Sequence, residues 1–318
     1  MATYKGIKGF NIQTVSSDPP APFTGEVWYN SGSGTVKYFA VQSAAWSTGG
    51  NMGTARYFLA GCGTQTAALA FAGRTPPPSS GVNSTEEYGG ASWTAGGNLG
   101  TARYNLAGCG TQTSALAFGA NSPVNPEGVT EEYGGTSWTS GGALTSGRGS
   151  LAGAGTQTAG LAAAGGGGAP GTEEYDGSSW TNGGAITTNA FSRGMAGLQT
   201  AAVCFGGDNE KANTEEYNGT SWTNSNNMNN GREGMGGAGT QTAALAFGGR
   251  PVPSTGNKTE QYDGSSWTTT ANMGTARYAL GGGGTSTLAI GFGGSPPITA
   301  ATEEFSGGGP ATLTVGTD

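Results

Sequence analysis

The stretch G-T-Q-T-A-A-L-A-F-G-G at 239–249, followed by T-E-Q-Y-D-G-S-S-W-T at 259–268, decides how this chain is read. The apolar run 243–247 is too short for a helix and suits a strand buried on both faces. The G-T-Q-T before it suits a tight hairpin, and the small residues before that make the partner strand. In T-E-Q-Y, alternation puts Thr259 and Gln261 on one face and Glu260 and Tyr262 on the other. Asp263-Gly264 predicts a two-residue type I′ turn into the S-W-T strand. The unit is a four-stranded antiparallel meander, strands a to d.

The unit repeats. Trp46, Trp93, Trp138, Trp180, Trp222 and Trp267 are separated by 47, 45, 42, 42 and 45 residues. Each is followed by an arginine: Arg56, Arg103, Arg148, Arg193, Arg232 and Arg277. Phe71, Phe118, Phe205, Phe247 and Phe292 share one slot of strand b. The third copy has Ala163 there, which predicts a poorly filled core. A single unit cannot bury both its faces, whereas stacking units around an axis can. The expected fold is all-β, a six-bladed β-propeller over 44–318 behind an anchor segment, 1–43, that carries a β-hairpin. Trp46 precedes the first full copy and the last copy stops at Phe305. The segment Ala44–Thr48 is therefore expected to complete the last blade. The strand at Ala311–Val315 competes for that place; use of both, or a blade formed mostly by Glu26–Thr48, would raise the count to seven.

The order arginine, small-residue strand, apolar strand, double glycine, Glu-Tyr, turn, tryptophan resembles the Kelch repeat family. Gly206-Gly207, Gly248-Gly249 and Gly293-Gly294 match its double glycine. The N-terminal hairpin G-E-V-W-Y-N-S-G-S-G-T-V-K (25–37) resembles one common in virion proteins of tailed bacteriophages. The repeat wording is similar to repeat proteins of marine and cyanobacterial phages. This resemblance implies a β-propeller in a virion protein of tail-fibre or adhesin type, assembled in the host cytoplasm and present in several copies. It implies contact with other virion proteins through the N-terminal segment and recognition of a host-surface glycan. A purely structural virion component, such as a head decoration or tail joint, is the alternative.

Composition narrows the chemistry. Gly and Pro total 78 of 318 residues, but at fixed offsets, so the period argues against disorder. A net charge of −7 disfavours nucleic acid as a partner. No apolar run is long enough to span a membrane, and M-A-T-Y-K-G-I-K-G-F-N-I-Q lacks the apolar core of an export signal. The chain has no histidine. That removes histidine-based triads, histidine metal sites and the copper site of galactose-oxidase-like Kelch enzymes. The paired glutamates, such as Glu173-Glu174, point to opposite faces of a strand and cannot act together on a glycosidic bond. No enzyme activity, metal or cofactor is expected. Cys62, Cys109 and Cys204 read as small buried hydrophobes.

The repeat arginines are expected to be buried, each pairing with one glutamate of a T-E-E-Y strand between blades. Recognition is expected on the face carrying the b–c and d–a connections, because varied loops on a rigid scaffold commonly carry binding. The candidate ligand-binding residues are Tyr57, Arg74, Tyr104, Asp208, Glu210, Lys211, Arg250, Lys258 and Tyr278.

Overall fold

The computed structural model describes residues 12–76, 81–120, 128–166, 171–251 and 256–315. Among the described residues there is no helix, and the strands form seven four-stranded sheets. Contacts divide the chain into two units, Ala45–Ser306 and a second made of Met1–Ala44 with Gly307–Asp318. The anchor boundary read from sequence therefore needs correction at the far end. The C-terminal strand Gly309–Thr314 pairs with Thr35–Gln42 and so belongs with the N-terminal unit.

The larger unit holds six sheets of like design. The first is Ala60–Thr64, Ala67–Phe71, Thr85–Tyr88 and Trp93–Ala95. The next four span 107–140, 152–182, 194–225 and 236–269. The sixth takes Gly281–Gly284, Leu288–Phe292 and Thr302–Ser306, and its strand d is Ala45–Gly49 from near the N-terminus. Every pairing in these sheets is antiparallel, in the order a-b-c-d. Both terminal strands are thus used, in different sheets. The total is seven sheets rather than six, and six of them carry the repeat, an arrangement consistent with a β-propeller.

The core lies between sheets. Phe71 of the first sheet meets Trp138 of the second at 5.0 Å, Phe118 meets Trp180 at 4.8 Å, and Phe205 meets Trp267 at 4.9 Å. Phe247 meets Trp46 of the sixth sheet at 5.2 Å, and Phe292 of the sixth meets Trp93 of the first at 4.9 Å. A Cβ on Gly61, Gly108 or Gly282 of strand a would come within 2.3, 2.3 and 2.5 Å of the phenylalanine of the preceding sheet. Only glycine fits there. The third sheet breaks the pattern with Ala163, and the equivalent strand-a position of the fourth sheet is Met195. Both lie in one buried cluster with Trp222 and Ile186. The poorly filled core expected at Ala163 is thus corrected: the methionine occupies the space the ring leaves.

The c–d connection also departs from expectation. Tyr175 pairs directly with Trp180, which leaves a four-residue loop, 176–179, instead of a two-residue turn. Only its second residue, Gly177, has positive φ, at 93°. The Asp176 amide donates to the Ser179 carbonyl at 3.2 Å, and the Asp176 carboxylate accepts the Ser178 and Ser179 amides at 2.8 Å, so backbone and side chain close the loop together. Those bonds, led by the Ser179 amide, hold its carboxyl at about 2.

The smaller unit has one sheet: Gln13–Val15, Val27–Asn30, Thr35–Gln42 and Gly309–Thr314. Its first pair is parallel, unlike any pair in the repeats. Asp18 organises it by accepting from Lys37 at 2.8 Å, Asn30 at 2.7 Å and the Trp28 indole at 3.1 Å. The Lys37 bond leads in holding the Asp18 carboxyl at about 2.

Candidate functional site

The site is built on the repeat arginines. Arg56, Arg103, Arg193, Arg232 and Arg277 lie 2.9, 3.1, 2.8, 3.2 and 3.1 Å from Glu86, Glu131, Glu215, Glu260 and Glu303, and Arg148 pairs with Glu173. All six are buried. The pairing is not between blades as expected: each arginine ends the d–a connection that enters a sheet and closes on strand c of that same sheet. Arg56 also donates to the carbonyls of Ala72 and Ser84, so the ion pair ties the d–a connection to the b–c connection beside it. Burial lowers the Arg103 and Arg232 guanidinium groups to about 10, against the opposing pull of their glutamates.

Arg193 reaches its glutamate from a different place. In five repeats the backbone carbonyl of the arginine accepts an amide from the double-glycine segment of the preceding sheet, as Arg103 does from Gly73. In the fourth repeat Ala190 accepts that bond, from Gly165. Arg193 stands three residues on, in line with Leu59, Leu106, Leu151, Met235 and Leu280, and still meets Glu215.

Two residues beyond the arginine in five repeats, and just before Arg193 in the fourth, the backbone turns left-handed. Phe58, Asn105, Ser150, Ser192, Gly234 and Ala279 have φ between 53° and 63°. Each donates its amide to the carbonyl of the equivalent residue in the preceding sheet, at 2.7–3.0 Å. The series passes through all six, and its last bond, from Phe58 to the Ala279 carbonyl, is 2.8 Å. Together these residues line one cavity mouth. Glycine would take this backbone without strain, yet five of the six positions carry side chains. Non-glycine residues in that region cost of order 1–3 kcal/mol each and tend to gather at functional sites. The side chains vary among Phe, Asn, Ser and Ala, while the next position is leucine in four of the six copies.

The residues preceding this series carry the aromatic groups. The Arg74 guanidinium lies over Tyr104 at 4.6 Å and near Tyr57 at 5.9 Å. Tyr57 packs on Phe58 at 4.8 Å, and Phe58 meets Tyr278 at 6.2 Å. Arg250 lies over Tyr278 at 5.3 Å and pairs with Glu233. Five of the nine candidates (Tyr57, Arg74, Tyr104, Arg250 and Tyr278) thus join in one arc, with Phe58 as the link between its halves. Phe58 and Glu233 were not among the sequence candidates. Aligning R-Y-F-L-A-G with R-Y-N-L-A-G (56–61 and 103–108) marks Phe58 as the variable position inside a constant frame, a signal that attention to loop charge passed over.

The other four candidates lie apart from this arc. Asp208 ties its loop to the d–a connection by accepting the Phe191 amide at 3.0 Å, and within its loop it accepts the Asn209 side chain at 2.7 Å, with Lys211 at 3.4 Å. Glu210 is exposed on the same loop, at a φ of 56°. The Lys258 carbonyl accepts the Gly248 amide, a closing bond found in the other repeats too. Residues 77–80, 121–127, 167–170 and 252–255 of the b–c connections lie outside the described residues. Among the described residues no group of three or more acidic or thiol side chains is placed to hold a metal. The cysteines are free and buried, and burial pushes the Cys62 thiol up to about 12 and that of Cys204 to about 11. No protein-family model and no curated protein matches the chain.

Proposed function

We propose that the six repeat sheets close into a Kelch-like β-propeller that binds and does not catalyse. In this reading the chain is a phage virion protein of tail-fibre or adhesin type, and the mouth lined by Phe58 recognises a host-surface glycan. The observation that carries the reading is the arc Tyr104–Arg74–Tyr57–Phe58–Tyr278–Arg250, half-buried aromatic faces interleaved with guanidinium groups. Aromatic faces accept the C–H faces of a sugar ring. The neighbouring Asn105 and Ser192 side chains and the two arginines supply hydrogen-bond donors at its edge. Weak single contacts gain avidity when many copies sit on one particle.

The smaller unit favours a role in assembly. It exposes Phe23 at 70% and Val41 at 62%, apolar groups suited to contact with other virion proteins. A purely structural virion part would use that unit and leave the arc idle.

The test is an array of bacterial surface saccharides probed with the full chain, Phe58→Ala and Tyr104→Ala. Binding of a defined sugar class by the parent, reduced about fivefold to thirtyfold in both variants with unchanged melting, is expected for stacking losses of about 1–2 kcal/mol. A parent that binds no saccharide, or variants that bind equally well, would overturn the reading in favour of the structural one.

A further inference from the structure

We propose that the ring opens at one place, the seam between the fifth and sixth sheets, with Ala45–Gly49 as the strap released first. This rests on reading the six sheets as a closed ring.

Five of the six seams share three side-chain links. The strand-d tryptophan donates to a strand-c threonine of the preceding sheet, as Trp138 does to Thr85 at 2.9 Å. The strand-c tyrosine donates to the second glutamate of the preceding T-E-E-Y, as Tyr133 does to Glu87 at 2.5 Å. The glutamine of G-T-Q-T donates to two backbone carbonyls of the preceding sheet, as Gln112 does to Ala68 and Tyr88 at 3.0 and 2.7 Å. The sixth-to-first seam has all three, through Trp93–Thr302, Tyr88–Glu304 and Gln65 with Ala289 and Phe305.

The fifth-to-sixth seam keeps only the tryptophan link, Trp46 to Thr259 at 3.0 Å. Phe305 replaces the tyrosine and has no hydroxyl. Gln261 replaces the second glutamate. Ser286 replaces the turn glutamine and is too short to cross. The three changes fit one another, since a half-buried carboxylate without its tyrosine partner would be left partly desolvated and unpaired. One substitute bond appears, from the Gln261 amide to the Ser286 carbonyl at 2.8 Å. The tyrosine bond and both glutamine bonds are thus exchanged for one.

Chain connectivity places load on the same spot. Ala45 and Ser306 are register partners at the end of the sixth sheet. They are also the two residues through which the larger unit continues into the smaller one. Tension on the smaller unit therefore enters the ring beside its least-bonded seam, and it pulls on the one strand d not joined to its own sheet by a short loop.

Hydrogen–deuterium exchange on the full chain tests this. Peptides covering Ala45–Gly49 and Thr302–Ser306 should exchange roughly tenfold faster or more than the equivalent strands of the other five sheets, as expected for a locally weakened unit. A repaired chain, Gln261→Glu with Ser286→Gln and Phe305→Tyr, should lose that difference. The converse variant, Glu132→Gln with Gln157→Ser and Tyr175→Phe, should create a second fast seam between the second and third sheets. Even exchange across the six sheets, or a repaired chain that still exchanges fastest there, would overturn the proposal. Fast exchange at both the fifth–sixth and sixth–first junctions would instead refute the ring.

Discussion

Position 195 shows how closely neighbouring copies are matched. Wherever the preceding sheet supplies a phenylalanine, strand a answers with glycine; where it supplies Ala163, the answer is Met195. We predict that Met195→Gly costs about 2–4 kcal/mol through the cavity it leaves, and Ala163→Phe about 1–3 kcal/mol through overpacking. The double variant should cost well under the sum, since it rebuilds the usual pair; chemical denaturation of the four proteins measures this. Arg193 carries a parallel lesson. Arg193→Leu strands Glu215 and should cost about 3–5 kcal/mol. Adding Ala190→Arg puts the guanidinium where the other repeats hold it and should recover most of that loss. Neither exchange was legible from one copy. A period aligned on tryptophan tolerates a three-residue shift of a long side chain. An alanine in a phenylalanine slot reads as a void until the strand facing it is known.

The four-residue strand T-E-E-Y divides its work by alternation. In the first sheet, Thr85 and Glu87 accept from the second sheet, Glu86 holds Arg56 of its own sheet, and Tyr88 donates to the sixth. The alternation was legible in the sequence; the partners were not, because alternation assigns faces and not which neighbour stands opposite. These bonds also set an alkaline limit. Burial, followed by the bond to a glutamate, raises Tyr88, Tyr133, Tyr175, Tyr217 and Tyr262 from 10 to about 12. The folded state then holds those protons more tightly than the unfolded chain. The contribution is fully present below pH 10 and lost as pH rises from about 10 to about 12. Unfolding midpoints measured across that window should fall steeply. Tyr133→Phe should fall less steeply from a lower starting stability. An equal slope in parent and variant would show that the hydroxyl link does not titrate with folding.

At the scale of the molecule, the sequence indicated the sheet type, the repeat frame and the use of Ala44–Thr48, in the structure Ala45–Gly49, to complete the last sheet. It did not indicate that the C-terminal strand leaves the repeats, since a short strand without repeat wording pairs wherever an open edge is offered. It named Tyr57, Arg74, Tyr104, Arg250 and Tyr278, which meet in one arc, but not Phe58 between them, because Phe58 is uncharged and sits inside the repeat frame. Residues 45–306 contain all of these seam bonds, and a chain cut to them is expected to fold with a cooperative melt. Closure is the claim on which the site depends, because the series through Phe58 and Ala279 joins the first sheet to the sixth. The most direct test is a double-mutant cycle on Tyr88→Phe and Glu304→Gln, 216 residues apart in sequence and 2.5 Å apart in space. A closed ring predicts a coupling of about 0.5–3 kcal/mol, similar to that expected from the same cycle on Tyr133 and Glu87. Additive effects at Tyr88 and Glu304, beside clear coupling at Tyr133 and Glu87, would contradict it.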